Sequence, residues 1–191
     1  YGDDFPTVRC ANFMNLAHNF SVDTYVEAVI GRAKLVVVRL LGGVGYWPYG
    51  IEQTVAACRA NGVKLALLPG DDQPDAELTG LSGLAPEPLH RLWQYCVHGG
   101  PENARNFLAY AADLIGHGGE WREPVPVLRA GLYWPGVERP SLDDLRALWT
   151  DSAPIAAIVF YRALLQASNL APVDALVRQL RLNGMNPLPI Y

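Results

Sequence analysis

Three short stretches of this chain carry residue types and spacings that could do chemistry. The first is Arg39-Leu-Leu-Gly-Gly-Val-Gly-Tyr-Trp-Pro-Tyr-Gly50. Behind Gly42 and Gly43, the rings of Tyr46, Trp47 and Tyr49 could present a stacking surface to a flat ligand, or they could cover the start of the next helix. The glycines would let backbone N–H groups approach an anion at a helix N-terminus, but their spacing is not Gly-x-Gly-x-x-Gly, and a tight turn alone accounts for them. Arg39 stands inside an apolar run, where an unpaired charge is costly, so a nearby carboxylate or a substrate group is expected to meet it. The second stretch places Asp71, Asp72 and Asp75 after Pro69-Gly70, where carboxylates could bind a hard cation or simply line a solvated loop. In the third, His98, Glu102 and Asn103 flank a Gly-Gly-Pro break. His98 could accept a proton there, and Glu102 suits the first turn of a helix, although capping and turn formation explain these residues as well. Asp71, Asp72 and His98 are the candidate metal ligands; His18, His90 and His117 have no partner at ligand spacing and fit surface or loop positions.

These residues need elements to hold them. Val8 to Phe13 reads as a short strand. Ser21 then reads as the N-cap of an amphipathic helix with Val22, Tyr25, Val26, Val29, Ile30 and Ala33 at helical spacing. Lys34 to Leu41 is a β-branched, nearly unbroken apolar run, as in a parallel strand covered on both faces. A second helix carries Ile51, Val55 and Cys58 on one face and ends at Asn61-Gly62, and Val63 to Leu68 is the next strand. After a loop rich in Gly and Pro, Leu89, Leu92, Trp93 and Cys96 mark one helix; Pro101 opens another with Ala104, Phe107, Leu108, Ala111, Leu114 and Ile115 inward. Gly116 to Pro126 has no period. Beyond it a strand is expected at Val127 to Tyr133, a helix from Ser141 to Trp149, a strand at Ile155 to Tyr161, a helix from Val173 to Asn183 and a strand at Leu188 to Ile190. Ser141 with Asp144 resembles a capping box.

The alternation of helix and buried strand predicts an α/β fold with two open, mostly parallel sheets and flanking helices, the first domain carrying an appended helical pair. Residues 1–118 form the expected first domain, 119–126 a linker, and 127–191 the start of a second domain, incomplete because it stops on a strand. Tyr46-Trp47-Pro48 and Tyr133-Trp134-Pro135 put an aromatic-Pro corner after a strand in each.

Composition narrows the function. The 191 residues hold 15 Lys+Arg against 19 Asp+Glu, a formal net charge of −4. No polybasic run exists, which argues against nucleic acid or an anionic membrane as partner. The most apolar stretch, Leu35 to Leu41, is interrupted by Arg39 and falls far short of the roughly 20 residues of a membrane span. Three cysteines, Cys10, Cys58 and Cys96, are odd in number and lie in apolar contexts, which fits a reduced, cytoplasmic setting. Lys34 and Lys64 are each followed by leucine, so no Walker phosphate loop is present. Cys-x-x-Cys, His-Glu-x-x-His and Gly-x-Ser-x-Gly are absent too.

The stretch from Arg39 to Gly50, with Leu67-Leu-Pro-Gly-Asp71 and Tyr95-Cys-Val-His-Gly-Gly-Pro-Glu-Asn103, resembles the amino-terminal region of the large subunits of aerobic cobaltochelatases and, more distantly, the H subunits of magnesium chelatases. Ala130-Gly-Leu-Tyr-Trp-Pro135, Ile158-Val-Phe-Tyr-Arg162 and Ala171-Pro-Val-Asp174 are similar to the following part of that family, so the resemblance covers nearly the whole chain. It implies a fragment, cut at both ends and inactive alone, of a long subunit that inserts cobalt into the corrin hydrogenobyrinic acid a,c-diamide. ATP hydrolysis would fall to a partner ATPase of the AAA+ class with its companion subunit, in keeping with the missing phosphate loop. The alternatives are a magnesium chelatase H subunit acting on the porphyrin protoporphyrin IX, and a non-catalytic module that docks a partner. In a chelatase, Tyr46, Trp47, Tyr49 and Arg39 would be candidate contacts to the macrocycle, and the catalytic residues are expected outside this segment. No cofactor is expected on the fragment itself.

Overall fold

A computed structural model describes residues 4–191. The described residues form two compact units: one runs up to Val97 and includes Ala104–Pro124, the other comprises His98–Asn103 and Val125–Tyr191.

In the first unit the chain opens with a 3-10 turn, Phe13–Leu16, where a strand was expected at Val8 to Phe13. Asn12 causes the turn locally: its side-chain oxygen accepts the Met14 N–H at 2.9 Å. Helix α1 (Asn19–Ala28) starts ahead of Ser21, from His18, whose side chain makes no capping bond. Strand β1 (Leu35–Leu40), helix α2 (Pro48–Asn61) and strand β2 (Lys64–Pro69) complete a parallel unit in which Leu35 pairs with Lys64 and Leu40 with Pro69. Gly62 ends α2 at φ +67°, the left-handed conformation that glycine adopts without the Cβ penalty. Helix α3 (Ala76–Leu81) is an element that the Gly/Pro-rich loop concealed; Asp75 caps it by accepting the Leu78 N–H at 3.0 Å. Helices α4 (Pro86–His98) and α5 (Gly100–Leu114) follow.

Successive strand residues point to opposite faces, and β2 uses both. Leu65 and Leu67 join Leu40, Ile51, Val55 and Cys58 in one apolar cluster, while Ala66 and Leu68 join Leu89, Leu92, Trp93, Tyr95 and Tyr110 in another. The side chains of Leu67 and Leu68 are fully buried. Residues 119–124, within the segment composed like a linker, pack into this unit. Arg91 lies between the rings of Tyr110 and Trp121, 5.2 and 5.0 Å from their centroids, and its Nε meets Glu123 at 2.9 Å.

The second unit contains helix α6 (Leu142–Ala147), strand β3 (Ile155–Val159), helix α7 (Arg162–Gln166), helix α8 (Ala171–Leu182) and strand β4 (Asn186–Ile190). Strands β3 and β4 are parallel, Ile155 opposite Asn186. Trp134, Leu145, Ile158, Val173 and Val177 form the core. Ser141 and Asp144 make the reciprocal capping box at the start of α6.

No strand forms at Val127 to Tyr133; only Leu132 bridges to Ile190, antiparallel. The cause is in β4. Gly131 and Tyr191 exchange both backbone bonds at 3.0 Å, but the next pair makes only one, from the Tyr133 N–H to the Pro189 carbonyl at 3.1 Å. Pro189 has no N–H to return, and Pro187 lacks one at the following step, so the ladder cannot propagate. A Cβ on Gly131 would stand 2.6 Å from the Tyr191 hydroxyl, so a larger residue there would have to push that ring aside.

Candidate functional site

The carboxyl ends of β1 and β2 open into a cavity of about 290 Å³, lined by Gly42, Gly43, Val44, Gly45, Asp71, Gln73, Asp75 and Glu77 among others. Ligands of open α/β sheets sit at this edge. Gly42 and Gly43 leave β1 at φ +95° and +68°, and Asp75 Oδ2 would lie 3.0 Å from a Cβ on Gly43. With three carboxylates and no cationic side chain in its lining, the cleft suits hydrogen-bond donors or cations and repels anions. The glycines therefore serve the turn rather than an anion cradle.

Most of the aromatic corner is used internally. Trp47 donates its indole N–H to the Leu16 carbonyl at 3.0 Å and packs on Phe13 at 6.0 Å between centroids. Its indole also lies over the first turn of α2, where a Cβ on Gly50 would fall 1.9 Å from the ring. Tyr49 donates to Asp23 Oδ1 at 2.7 Å, a bond that raises the tyrosine pKa, and this ties α2 to α1. Tyr46 differs: it is 55% exposed, touches Phe13 edge-on and Met14 Sδ through its hydroxyl at 3.7 Å, and stands near exposed Met14.

Arg39 is exposed, not buried, and its guanidinium donates to the Gly70 carbonyl at 2.8 Å. A backbone oxygen stands where a carboxylate was expected, because the end of β1 faces solvent on Arg39's side. Asp71 Oδ1 accepts the Gln73 N–H at 3.1 Å and Asp72 Oδ1 accepts from Gln73 Nε2 at 3.2 Å. Among the described residues no group of three His, Cys, Asp or Glu side chains could hold a metal ion.

His98 ends α4 and belongs to the second unit, where burial and the Arg162 charge lower its pKa and favour neutral imidazole. Asn103 acts as a clamp: its Nδ2 donates to Gly99 O at 2.7 Å and Val125 O at 2.9 Å, and its Oδ1 accepts the Val125 N–H at 2.9 Å. Asn106 repeats this in the first unit by accepting the Arg122 N–H at 2.8 Å. The i, i+3 spacing of Asn103 and Asn106 on α5 was the available sequence signal for this pair. Two further features have no signal in the sequence. Tyr133 donates to Asp174 Oδ1 at 2.6 Å, and burial together with that carboxylate pushes the phenol pKa well up. Thr54, fully buried in α2, has a hydroxyl oxygen with no hydrogen-bond partner.

No helix among the described residues is long and apolar enough to cross a membrane. Residues 93–191 match the model of the CobN/Magnesium Chelatase family. Over 98% of its length the chain is 43% identical to the aerobic cobaltochelatase subunit CobN of Pseudomonas aeruginosa, and it spans 15% of that protein. It is 42% identical, over 97% of its length, to the same subunit of a Sinorhizobium species, again spanning 15% of the relative. An uncharacterized protein of Methanocaldococcus jannaschii is 26% identical over 85% of the chain and 14% of its own length. The catalytic subunit of cobaltochelatase from Mycobacterium tuberculosis shares the fold with a TM-score of 0.70 at 32% identity, across 88% of this chain and 13% of that one. With more than half of its residues matched by the family model, and its strands, aromatic corner and carboxyl-edge cleft set out as described, this chain belongs to the CobN/Magnesium Chelatase family.

Proposed function

We propose that this chain is a segment of the large subunit of an aerobic cobaltochelatase, whose full-length form inserts Co²⁺ as substrate into hydrogenobyrinic acid a,c-diamide. The observation that carries the proposal is near-complete coverage at 43% and 42% identity by two relatives named for cobalt. Those names favour cobalt over magnesium and protoporphyrin IX. ATP hydrolysis belongs to an AAA+ partner working with a companion subunit in the cytoplasm, and the absence of a phosphate loop around Lys34 and Lys64 is consistent with that.

The two units correspond to two α/β domains, the second continued by further chain in the parent protein. Within the first, we propose Tyr46 and Arg39 as the contact surface for the macrocycle, with the amide side of the ring turned toward the acid-lined cleft and its carboxylates away from it. Tyr46 offers a half-exposed ring, and Asp71 with Glu77 offers acceptors suited to amide N–H groups. Arg39 is within the same strand-end region and carries a charge that a ring carboxylate could meet. Asp72 in the first unit offers a carboxylate that could hold a metal ion, and His98 in the second offers, separately, a neutral imidazole that could take a proton.

A second proposal, a docking or scaffold module, is favoured by the internal use of Trp47 and Tyr49, which hold α2 against its neighbours. Absorbance titration of the full-length subunit with the corrin separates the two. The contact reading predicts at least about tenfold weaker binding, near 1.4 kcal/mol, for Tyr46→Ala. Unchanged corrin affinity with lost capture of the ATPase partner would establish the docking role instead.

A further inference from the structure

Strand β3 presents an apolar face with no cover. Ile155, Val159 and the following Tyr161 are 58%, 79% and 85% exposed, whereas Ile158 between them is in the core. Alternate residues of a strand point to opposite faces, so one whole face of β3 is bare.

Its outer edge is also free. The Asn186 N–H donates to the Pro154 carbonyl at 2.8 Å and the Phe160 N–H to the Ile190 carbonyl at 3.0 Å, which assigns the even-numbered residues of β3 to the ladder with β4. The amides of Ile155, Ala157 and Val159 therefore face the other side, where no described residue pairs with them. The far edge of the sheet offers no alternative. Residues 131–133 lie along it, and Pro187 and Pro189 remove its donors.

Parallel sheets are buried on both faces, and a free apolar edge is a template for another strand. The curated relatives are much longer than the region matched, which is 15% of each. We propose that β3 is an intramolecular docking edge, occupied in the full-length chain by a further strand from outside the matched region. That strand bonds to the backbone of Ile155, Ala157 and Val159, and its connection covers Ile155, Val159 and Tyr161. The inference rests on family membership and strand geometry, and is independent of metal or substrate.

Hydrogen–deuterium exchange on the full-length chain tests it. The amides of Ile155, Ala157 and Val159 should exchange at least about a hundredfold more slowly than unstructured amides, as paired strands in a stable sheet do. Val159→Lys should accelerate exchange at these amides and lower the Tm of the full-length chain, while Arg59→Gln, an exposed change at the end of α2, leaves both unchanged. Rapid exchange at the three odd-numbered positions beside protected Ala156 and Ile158 would overturn the proposal. So would an unshifted Tm with unchanged exchange in Val159→Lys. Protection that vanishes on dilution, with a change from dimer to monomer mass, would assign the edge to a second copy and overturn it as well.

Discussion

Strands β2 and β3 read almost alike along the chain, Leu-Ala-Leu-Leu beside Ile-Ala-Ala-Ile-Val, yet their surroundings differ. Strand β2 is covered on both faces by separate apolar clusters. Strand β3 has a core on one face and open surface on the other. An unbroken apolar run states a demand for two-sided cover, and the described residues meet that demand only for β2. An apolar run of the same kind is therefore compatible with two-sided cover in one unit and with a single covered face in the other.

The sharpest way to break this comparison is a pair of truncations in the 191-residue chain. Leu67→Ala should cost about 2–5 kcal/mol in urea unfolding, because a fully buried leucine loses both transfer energy and packing. Val159→Ala should stay within about 0.5 kcal/mol, as surface changes do. Equal costs would mean that β3 is packed like β2.

A smaller contrast concerns the cation–ring contacts. Arg91 meets two rings and Glu123 in the first unit, while Arg181 of the second lies 5.8 Å from the Trp134 ring alone. Arg91→Ala should cost about 1–2 kcal/mol and shift Trp121 emission to the red, against about 0.5–1 kcal/mol for Arg181→Ala. At the helix starts, Ser141→Ala should cost about 1 kcal/mol through the capping box of α6. His18→Ala should cost almost nothing, since that side chain caps no N–H of α1. Both are read from denaturation midpoints.

The mildest contrast is with pH. Burial raises the Cys58 thiol from 9.0 to about 11 and the Tyr95 phenol from 10.0 to about 12 in the first unit. In the second, Tyr133 is raised from 10.0 by burial and by Asp174. Each group stays protonated in the folded chain after its unfolded counterpart has ionised. Their stabilisation is therefore complete below the unfolded values and is lost as pH rises toward the folded ones. Urea midpoints should begin to fall near pH 9 in the first unit and near pH 10 in the second. Cys58→Ala should make the first fall shallower while its onset stays near pH 9, because burial also raises the Cys96 thiol. His98 works in the opposite direction: its lowered pKa contributes stability that is lost as pH falls below about 6.5.

Much of the architecture was legible because it rests on local chemistry. Gly62, Ser141 with Asp144, and the runs at β1 and β2 announce a helix end, a capping box and parallel strands. What stayed hidden depends on distant partners. Helix α3 stayed hidden because it is only 6 residues long and has one fully buried leucine, Leu78, with Asp75 as its cap. The strand expected at Val127 to Tyr133 shrank to a bridge at Leu132, and Pro187 and Pro189, which stop that bridge from running on past Tyr133, lie far away in sequence. Arg39 sits in an apolar run, yet the exposure of its side of β1 is decided by tertiary packing. In the candidate site, the types of Tyr46, Trp47 and Tyr49 were visible, but their division into one open ring and two engaged ones was not.

Metal insertion distinguishes a cobalt from a magnesium chelatase outright. The matched segment of the Pseudomonas aeruginosa relative would be replaced by this chain, and the chimera combined with its ATPase partner subunits, ATP, Co²⁺ and hydrogenobyrinic acid a,c-diamide. An ATP-dependent absorbance change from cobalt entering the corrin is expected, and none from Mg²⁺ with protoporphyrin IX. A folded chimera that inserts magnesium into the porphyrin and leaves the corrin metal-free would contradict the cobalt assignment.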